Sequence, residues 1–371
     1  MASRIPPHTN LENPPAPRTD GQPAAPAAAS PFWDRRVHED RRPLLLARAR
    51  AFTAWRKWLS DNDFLEVDPN ALQASPGNEA HIAAFATDFV TLDGARRRLH
   101  LHASPEFACK KLLAAGETRI FSLGHVFRNG ERGPLHQPEF TMLEWYRVGA
   151  PYRDLIADAS ALCALAAQAA GADVFRHRGA VCDPFAAPER IGVCEAFARH
   201  AGVDLAATLR PDGANDRDAL AAMAASLGLR VSADDSWSDL FSKILSERVE
   251  PRLGMGRMSV LDEYPASEAA LARPLAENPC LAERFEIYAC GVEIANAFGE
   301  LTDAQEQRRR FVAQMDARER LYGERHPIDE DFLAALTHMP QASGIAMGAD
   351  RVVMLATGAG DVARVMWTPD P

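Results

Sequence analysis

The sequence is short of the features that would place it in several common classes. Only six cysteines occur in 371 residues, at 109, 163, 182, 194, 280 and 290, with no Cys-x-x-Cys pair. Cysteines so scattered serve as reduced, small hydrophobic residues, which excludes a disulfide scaffold and a zinc ribbon. No apolar run approaches the ~18 residues of a spanning helix. The N-terminal stretch has no apolar segment of the signal-peptide kind, so the cytoplasm is the expected compartment. Basic residues are outnumbered, 41 to 51, giving a net charge of −10. That excludes broad electrostatic adhesion to nucleic acid or anionic membrane, though not a local basic patch.

What is present suits a sizeable core, with 47% hydrophobic residues. Residues 1–40 are Pro- and Ala-rich with few bulky apolar side chains, so they form a disordered tail that cannot offset its ordering entropy. Residues 41–371 form the folded domain. Leu45, Ala49, Phe52, Trp55 and Leu59 recur at helical spacing over 44–59. Residues 64–69 follow as a short strand stopped by Pro69. The 90–102 stretch alternates about Asp93-Gly94 and reads as a hairpin. A helix opens after Ser104, with Ser104 as its cap and Pro105 in its first turn. Glu106, there, can be simply an acid favoured by the helix dipole.

The most informative stretch is 127–148, FRNGERGPLHQPEFTMLEWYRV. Strand-like runs at 120–127 and 139–148 flank a polar loop broken by Gly130, Gly133, Pro134 and Pro138. Side chains alternate along a strand, so Phe140, Met142, Glu144 and Tyr146 share one face. Helices are expected over 152–170, loosely within 171–235, and over 237–249, with a strand over 258–264. The segment 283–302, ERFEIYACGVEIANAFGELT, alternates strictly about Cys290-Gly291 as a second hairpin. Glu286, Glu293 and Glu300 fall on it at intervals of seven; without context they are as consistent with a solvated edge as with a site. The 304–322 helix is charged, and Arg308-Arg309-Arg310 fits a solvated face. Residues 344–351, GIAMGADR, run from strand into a helix at 352–355.

Taken together, these stretches resemble the class II aminoacyl-tRNA synthetases. Residues 127–148 resemble motif 2 in its lysine-type form, FRNE…HNPEFTMLEWY, with Gly130 for Glu and Gln137 for Asn. The 44–69 helix–strand–proline resembles motif 1, and 344–351 resembles motif 3, GxGxGxDR, with Ala346 for Gly. The resemblance spans about residues 40–371. It implies an α+β fold, an antiparallel sheet flanked by helices, and homodimerisation. It is similar to lysyl-tRNA synthetase catalytic domains, but the residues before 41 are expected to be too few, and too poor in bulky apolar side chains, for their anticodon-binding barrel, so the chain looks like the truncated paralogues of those synthetases, the elongation factor P–(R)-β-lysine ligases. Tyr264-Pro265-Ala266-Ser267 resembles the FPAS of those paralogues.

The resemblance implies ATP and Mg2+ as cofactors, lysine or β-lysine as substrate, and elongation factor P as protein partner; it makes tRNA and membrane unexpected partners. It assigns catalysis to Arg128 and Arg351. ATP would meet these two with Asn129, Gly130, His136, Gln137, Phe140, Glu293, Ile294 and Gly348. Glu286 and Glu293 would hold Mg2+. Ser104, Pro105, Glu106, Glu144, Tyr146, Asn296, Glu300 and Ala346 would bind the amino acid, with Glu300 meeting its terminal ammonium. For the glutamate that Gly130 replaces, either Glu131, given a shift of the loop, or backbone groups would substitute. The Ala346 methyl, in narrowing the pocket floor, would favour a lysine with a displaced amino group by ~1–3 kcal/mol. A reduced tRNA-charging enzyme and a non-catalytic regulator stay open beside the ligase.

Overall fold

The computed structural model describes residues 31–369, so most of the expected tail lies outside the described residues. Helix α1 spans Arg35–Asp61, starting well before residue 44 and running through Pro43. Its first turn is held by Asp34, whose carboxylate accepts from the Arg36 and Val37 N–H groups. The helix buries Leu45, Ala51, Trp55 and Leu59 along one stripe. The short strand after it, β1, is only Leu65–Glu66 and pairs parallel with β5, Arg119–Phe127. Strands β2 (Leu72–Gln73), β3 (Ala86–Val90) and β4 (Arg96–Leu101) make a small separate sheet, with the expected turn about Asp93-Gly94. Helix α2 is Glu106–Ala114. Strand β6, Glu139–Val148, returns antiparallel along β5 over its whole length, as the hairpin pattern requires.

Helix α3 is Leu155–Ala170. Beyond it the structure departs from an all-helical expectation. Three short strands intervene, β7 (Phe175–His177), β8 (Ala180–Asp183) and β9 (Glu189–Gly192), before helices α4 (Val193–Ala201), α5 (Arg217–Ser226) and α6 (Trp237–Ile244). Then come β10 (Gly256–Arg257), β11 (Ser259–Pro265), β12 (Leu281–Ala289), β13 (Val292–Gly299), α7 (Ala304–Tyr322), α8 (Glu330–Leu336), β14 (Ala342–Gly348) and α9 (Ala349–Thr357).

Eight strands form the main sheet in the order β1-β5-β6-β14-β13-β12-β11-β9, antiparallel except at its two edges. Alternation along β6 divides its two faces. Trp145 turns into the core made with α1, α3 and α9, where Trp55 Nε1 donates to the Leu162 carbonyl. Glu144 and Tyr146 turn to the other face, over which α2, α7 and α8 pack. A third cluster, built on α4–α6, covers the β9–β11 edge. All six cysteines are free, as expected. Arg310 corrects the expectation of a fully solvated 308–310 run: it is largely buried and donates to the Ala269 and Ala272 carbonyls. Among the described residues, no helix is long and apolar enough to cross a membrane.

Candidate active site

Register places the site. Glu144 faces Ala346 on β14, Ala346 faces Asn296 on β13, and Asn296 faces Glu286 on β12. Directly opposed residues share a face, so these four form one row across the middle of the sheet. A β-bulge then brings in Glu293. Ala295 pairs with Ile287 and Glu293 with Tyr288, so Ile294 is an extra residue and the hairpin is not strictly alternating. Without it Glu293 and Asn296, three apart, would lie on opposite faces; with it both reach the same side.

A cleft opens over this row. Its walls include Arg128, Glu131, His136, Gln137, Phe140, Glu293, Gly348 and Arg351; Ser104, Glu106, Asn296 and Ala346 line it too. Ile294, the bulge residue, reaches it as well. The two arginines expected to converge therefore do so. Arg128 lies over the Phe140 ring, 5.3 Å from its centroid, and is 3.8 Å from Glu131. Arg351, in the first turn of α9, donates to the Glu293 carbonyl at 2.9 Å and to its carboxylate at 3.3 Å. Its Nη2 is 2.8 Å from His136 Nε2. Partial burial and this guanidinium hold the His136 imidazole below its usual pKa, so it stays neutral and accepts.

Several expected residues are placed otherwise. Asn129 and Gly130 are exposed and do not line the cleft; Gly130 takes φ +81 at the loop turn. A positive φ suits glycine better than glutamate, and Glu131 lines the cleft instead. Pro105 lines an adjoining pocket with Ser104 and Glu106. Ser104 does not act as a conventional N-cap; its Oγ accepts from the Glu106 N–H at 3.0 Å and donates to Glu144 at 2.7 Å. Glu144, Tyr146 and Glu300 are sealed beneath the floor, each at most 2% exposed. Tyr146 donates its hydroxyl to Glu144. Gly344 makes the close approach possible, since a Cβ there would sit 2.3 Å from the Tyr146 ring and 2.4 Å from Glu300 Oε1.

Glu286 fits its expected role as a metal ligand poorly. Its Oε2 accepts from Tyr264 at 2.5 Å and Tyr288 at 2.6 Å, and Oε1 accepts from Arg284 at 2.6 Å. Its lone pairs are thus largely used by protein donors, and it does not line the cleft. Among the described residues no cluster of three or more acids, histidines or cysteines could by itself hold a metal. Glu293 does face the cleft. One carboxylate completed by substrate phosphates suits Mg2+, which keeps much of its shell from water and ligand oxygens.

Four residues escaped sequence reasoning. Lys110 lies buried between Glu106 and Glu300; its signal was the Glu-to-Lys spacing of four on a helix. Arg284 stacks 4.3 Å from the Tyr264 ring centroid while holding Glu286. Glu250 accepts from Tyr288 at 3.2 Å, and its carboxyl is raised to about 7 by burial and by Glu286 and Glu293. It arrives from a distant turn, and nothing local marks it. Arg48 of α1 binds Asp350 of α9 below the cleft.

Burial, reinforced by Glu106, pushes the Glu144 carboxyl up to about 8, against the hydrogen bonds from Tyr146 and Ser104. Glu144 is therefore mostly protonated at pH 7, and an ammonium bound against it, as the resemblance implies, would displace that proton. Amino-acid binding at pH 7 is expected to release close to one proton, falling towards zero near pH 9. Calorimetry in buffers of different ionisation enthalpy measures it; a pH-independent proton count would refute the assignment.

Comparison with known proteins agrees with this architecture. The chain belongs to the class II tRNA synthetases (D, K and N), whose family model matches residues 29–370. It is similar to the elongation factor P–(R)-β-lysine ligase of Sodalis glossinidius, 38% identical over 87% of this chain and 93% of that protein. The corresponding ligase of Edwardsiella ictaluri is 39% identical over the same shares. The lysine–tRNA ligase of Pelotomaculum thermopropionicum is 34% identical over 91% of this chain, but only 65% of its own length is covered.

Proposed function

We propose that this chain is an AMP-forming ligase that activates a lysine, (R)-β-lysine or α-lysine, and transfers it to a lysine side chain of elongation factor P. The observation that carries the reading is that Arg128 and Arg351 line one cleft whose floor holds Ser104, Glu106, Asn296 and Ala346. In the first step a carboxylate oxygen attacks the α-phosphorus of ATP and pyrophosphate leaves. In the second the acceptor amine attacks the activated carbonyl, loses a proton, and AMP leaves. The first step brings two anions together, and the Arg128 fork is suited to bridge them. Arg351, steadied by Glu293 and the Leu135 carbonyl, serves the far phosphates, with His136 beside it. Phe140 offers a face for the adenine. Glu293 would hold Mg2+, whose chemistry is to neutralise charge on the departing pyrophosphate. Positioning and electrostatics suffice, with no covalent enzyme intermediate.

The test is pyrophosphate exchange with α-lysine and with β-lysine, followed by mass spectrometry of elongation factor P incubated with this protein, ATP and magnesium. Exchange with one isomer and a lysyl mass gain on the factor are expected. The similarity to a lysine–tRNA ligase gives the second reading its weight. Label on tRNA and none on the factor would establish that one instead. Exchange with no amino acid would leave a regulator.

A further inference from the structure

Beneath the cleft the amino-acid pocket contains an ammonium of its own. Lys110 sits one turn after Glu106 on α2, with its side chain 0% exposed. Its Nζ donates to Glu106 Oε1 at 2.5 Å and lies 2.5 Å from Glu300 Oε2. The lysine thus takes one oxygen from each carboxylate. The rest of Glu106 still lines the cleft, and Glu300 Oε1 lies on the Gly344–Tyr146 side. Glu144, the third acid, is held separately by Ser104 and Tyr146. The other groups that bear on the pair are Cys109 on α2 and Arg273, which is paired with Glu283 and acts on Glu300 through its charge from the segment before β12.

A buried ammonium is tolerated only when paired, and so is a buried carboxylate. Once a ligand has displaced the Glu144 proton, the carboxylates of Glu106, Glu144 and Glu300 together with the internal ammonium leave the protein side of the pocket with a net charge of −2. An amino acid with two ammonium groups cancels that charge, its own carboxylate being left to Arg128. An amino acid with a single ammonium leaves one carboxylate buried and unpaired. We infer that Lys110 is a positioning residue that fixes Glu106 and Glu300 and sets the charge of this pocket to accept diamino acids. The inference rests on the amino-acid-activating reading above. Burial works against the Lys110 charge, but the two carboxylates outweigh it and raise its pKa, so the lysine holds its proton throughout the working range.

Lys110→Met is expected to raise KM for the diamino acid in pyrophosphate exchange by about tenfold or more, with a smaller change in kcat. It should also shift the pH profile of KM to the alkaline side, because Glu300 keeps its proton longer without the counter-charge of Lys110. Lys110→Arg retains the charge and should keep the wild-type profile even where KM suffers. If Lys110→Met is too unstable to assay, Lys110→Gln keeps a donor beside the carboxylates without the charge, and should show the same rise in KM and the same alkaline shift. A wild-type pH profile in the uncharged variant, or identical behaviour of Lys110→Arg and that variant, would overturn the role of Lys110. A wild-type protein inert towards every diamino acid would overturn the activation reading, and this inference with it.

Discussion

Arg128→Ala is expected to lower amino-acid-dependent pyrophosphate exchange about 10³-fold. Two unit charges brought to ~4 Å repel by ~4 kcal/mol at an effective dielectric of 20, and each 1.36 kcal/mol is tenfold in rate. The guanidinium that offsets this repulsion is held only loosely by the protein. Its Nε is 3.5 Å from the Ala103 carbonyl, and its ion pair with Glu131 spans 3.8 Å. Alanine there should therefore leave stability nearly unchanged, so the loss of rate reports chemistry. Arg128→Lys keeps a charge and loses the bidentate fork, and should fall in between, about 10–100-fold down. Exchange within tenfold of wild type in Arg128→Ala, measured at saturating ATP and amino acid, would remove Arg128 from the catalytic step.

Asp350→Ala is expected to have the opposite signature, a large loss of stability. Asp350 follows Ala349 in the first turn of α9, 3% exposed, immediately before Arg351. One oxygen accepts from Arg48 and the other from the Thr141 N–H at 2.7 Å. Arg48, 6% exposed, also donates to Thr141 Oγ1 at 2.6 Å and lies 4.4 Å from the Phe52 ring centroid. Three elements, α1, β6 and α9, are tied at one point. Removing the carboxylate strands a buried guanidinium and a backbone donor, which costs ~3–5 kcal/mol. Denaturant unfolding followed by circular dichroism measures this. An apolar pair of similar volume, R48M/D350L, should recover much of the loss, because neither partner is then left charged and alone. A single-variant loss below ~1 kcal/mol would mean that water reaches Arg48.

Long periodic stretches were legible one residue at a time. The β5–β6 hairpin, α1, α3, α7 and the β12–β13 hairpin follow from alternation or helical spacing, because each buries a face that its own sequence defines. The 175–192 strands were not legible. They are three or four residues long, and what makes them strands is pairing with distant partners, such as β9 with β11. Arg310 looked solvated for a similar reason: the carbonyls it binds belong to the 269–272 segment, remote in sequence.

The sequence by itself determined which residue types were available: two arginines, a row of acids and the glycines of two strand–turn elements, in an order that a phosphate-handling ligase shares. Local physics suffices there, since a hairpin or a helix start depends on neighbours a few residues away. Only the tertiary structure decided which acids remain available to a ligand. Glu286 is taken up by two tyrosines and an arginine, Glu300 is shared with Lys110, and Glu293 reaches the cleft because one bulged residue reverses its side. Those outcomes depend on register and on partners far along the chain, and no local pattern encodes them.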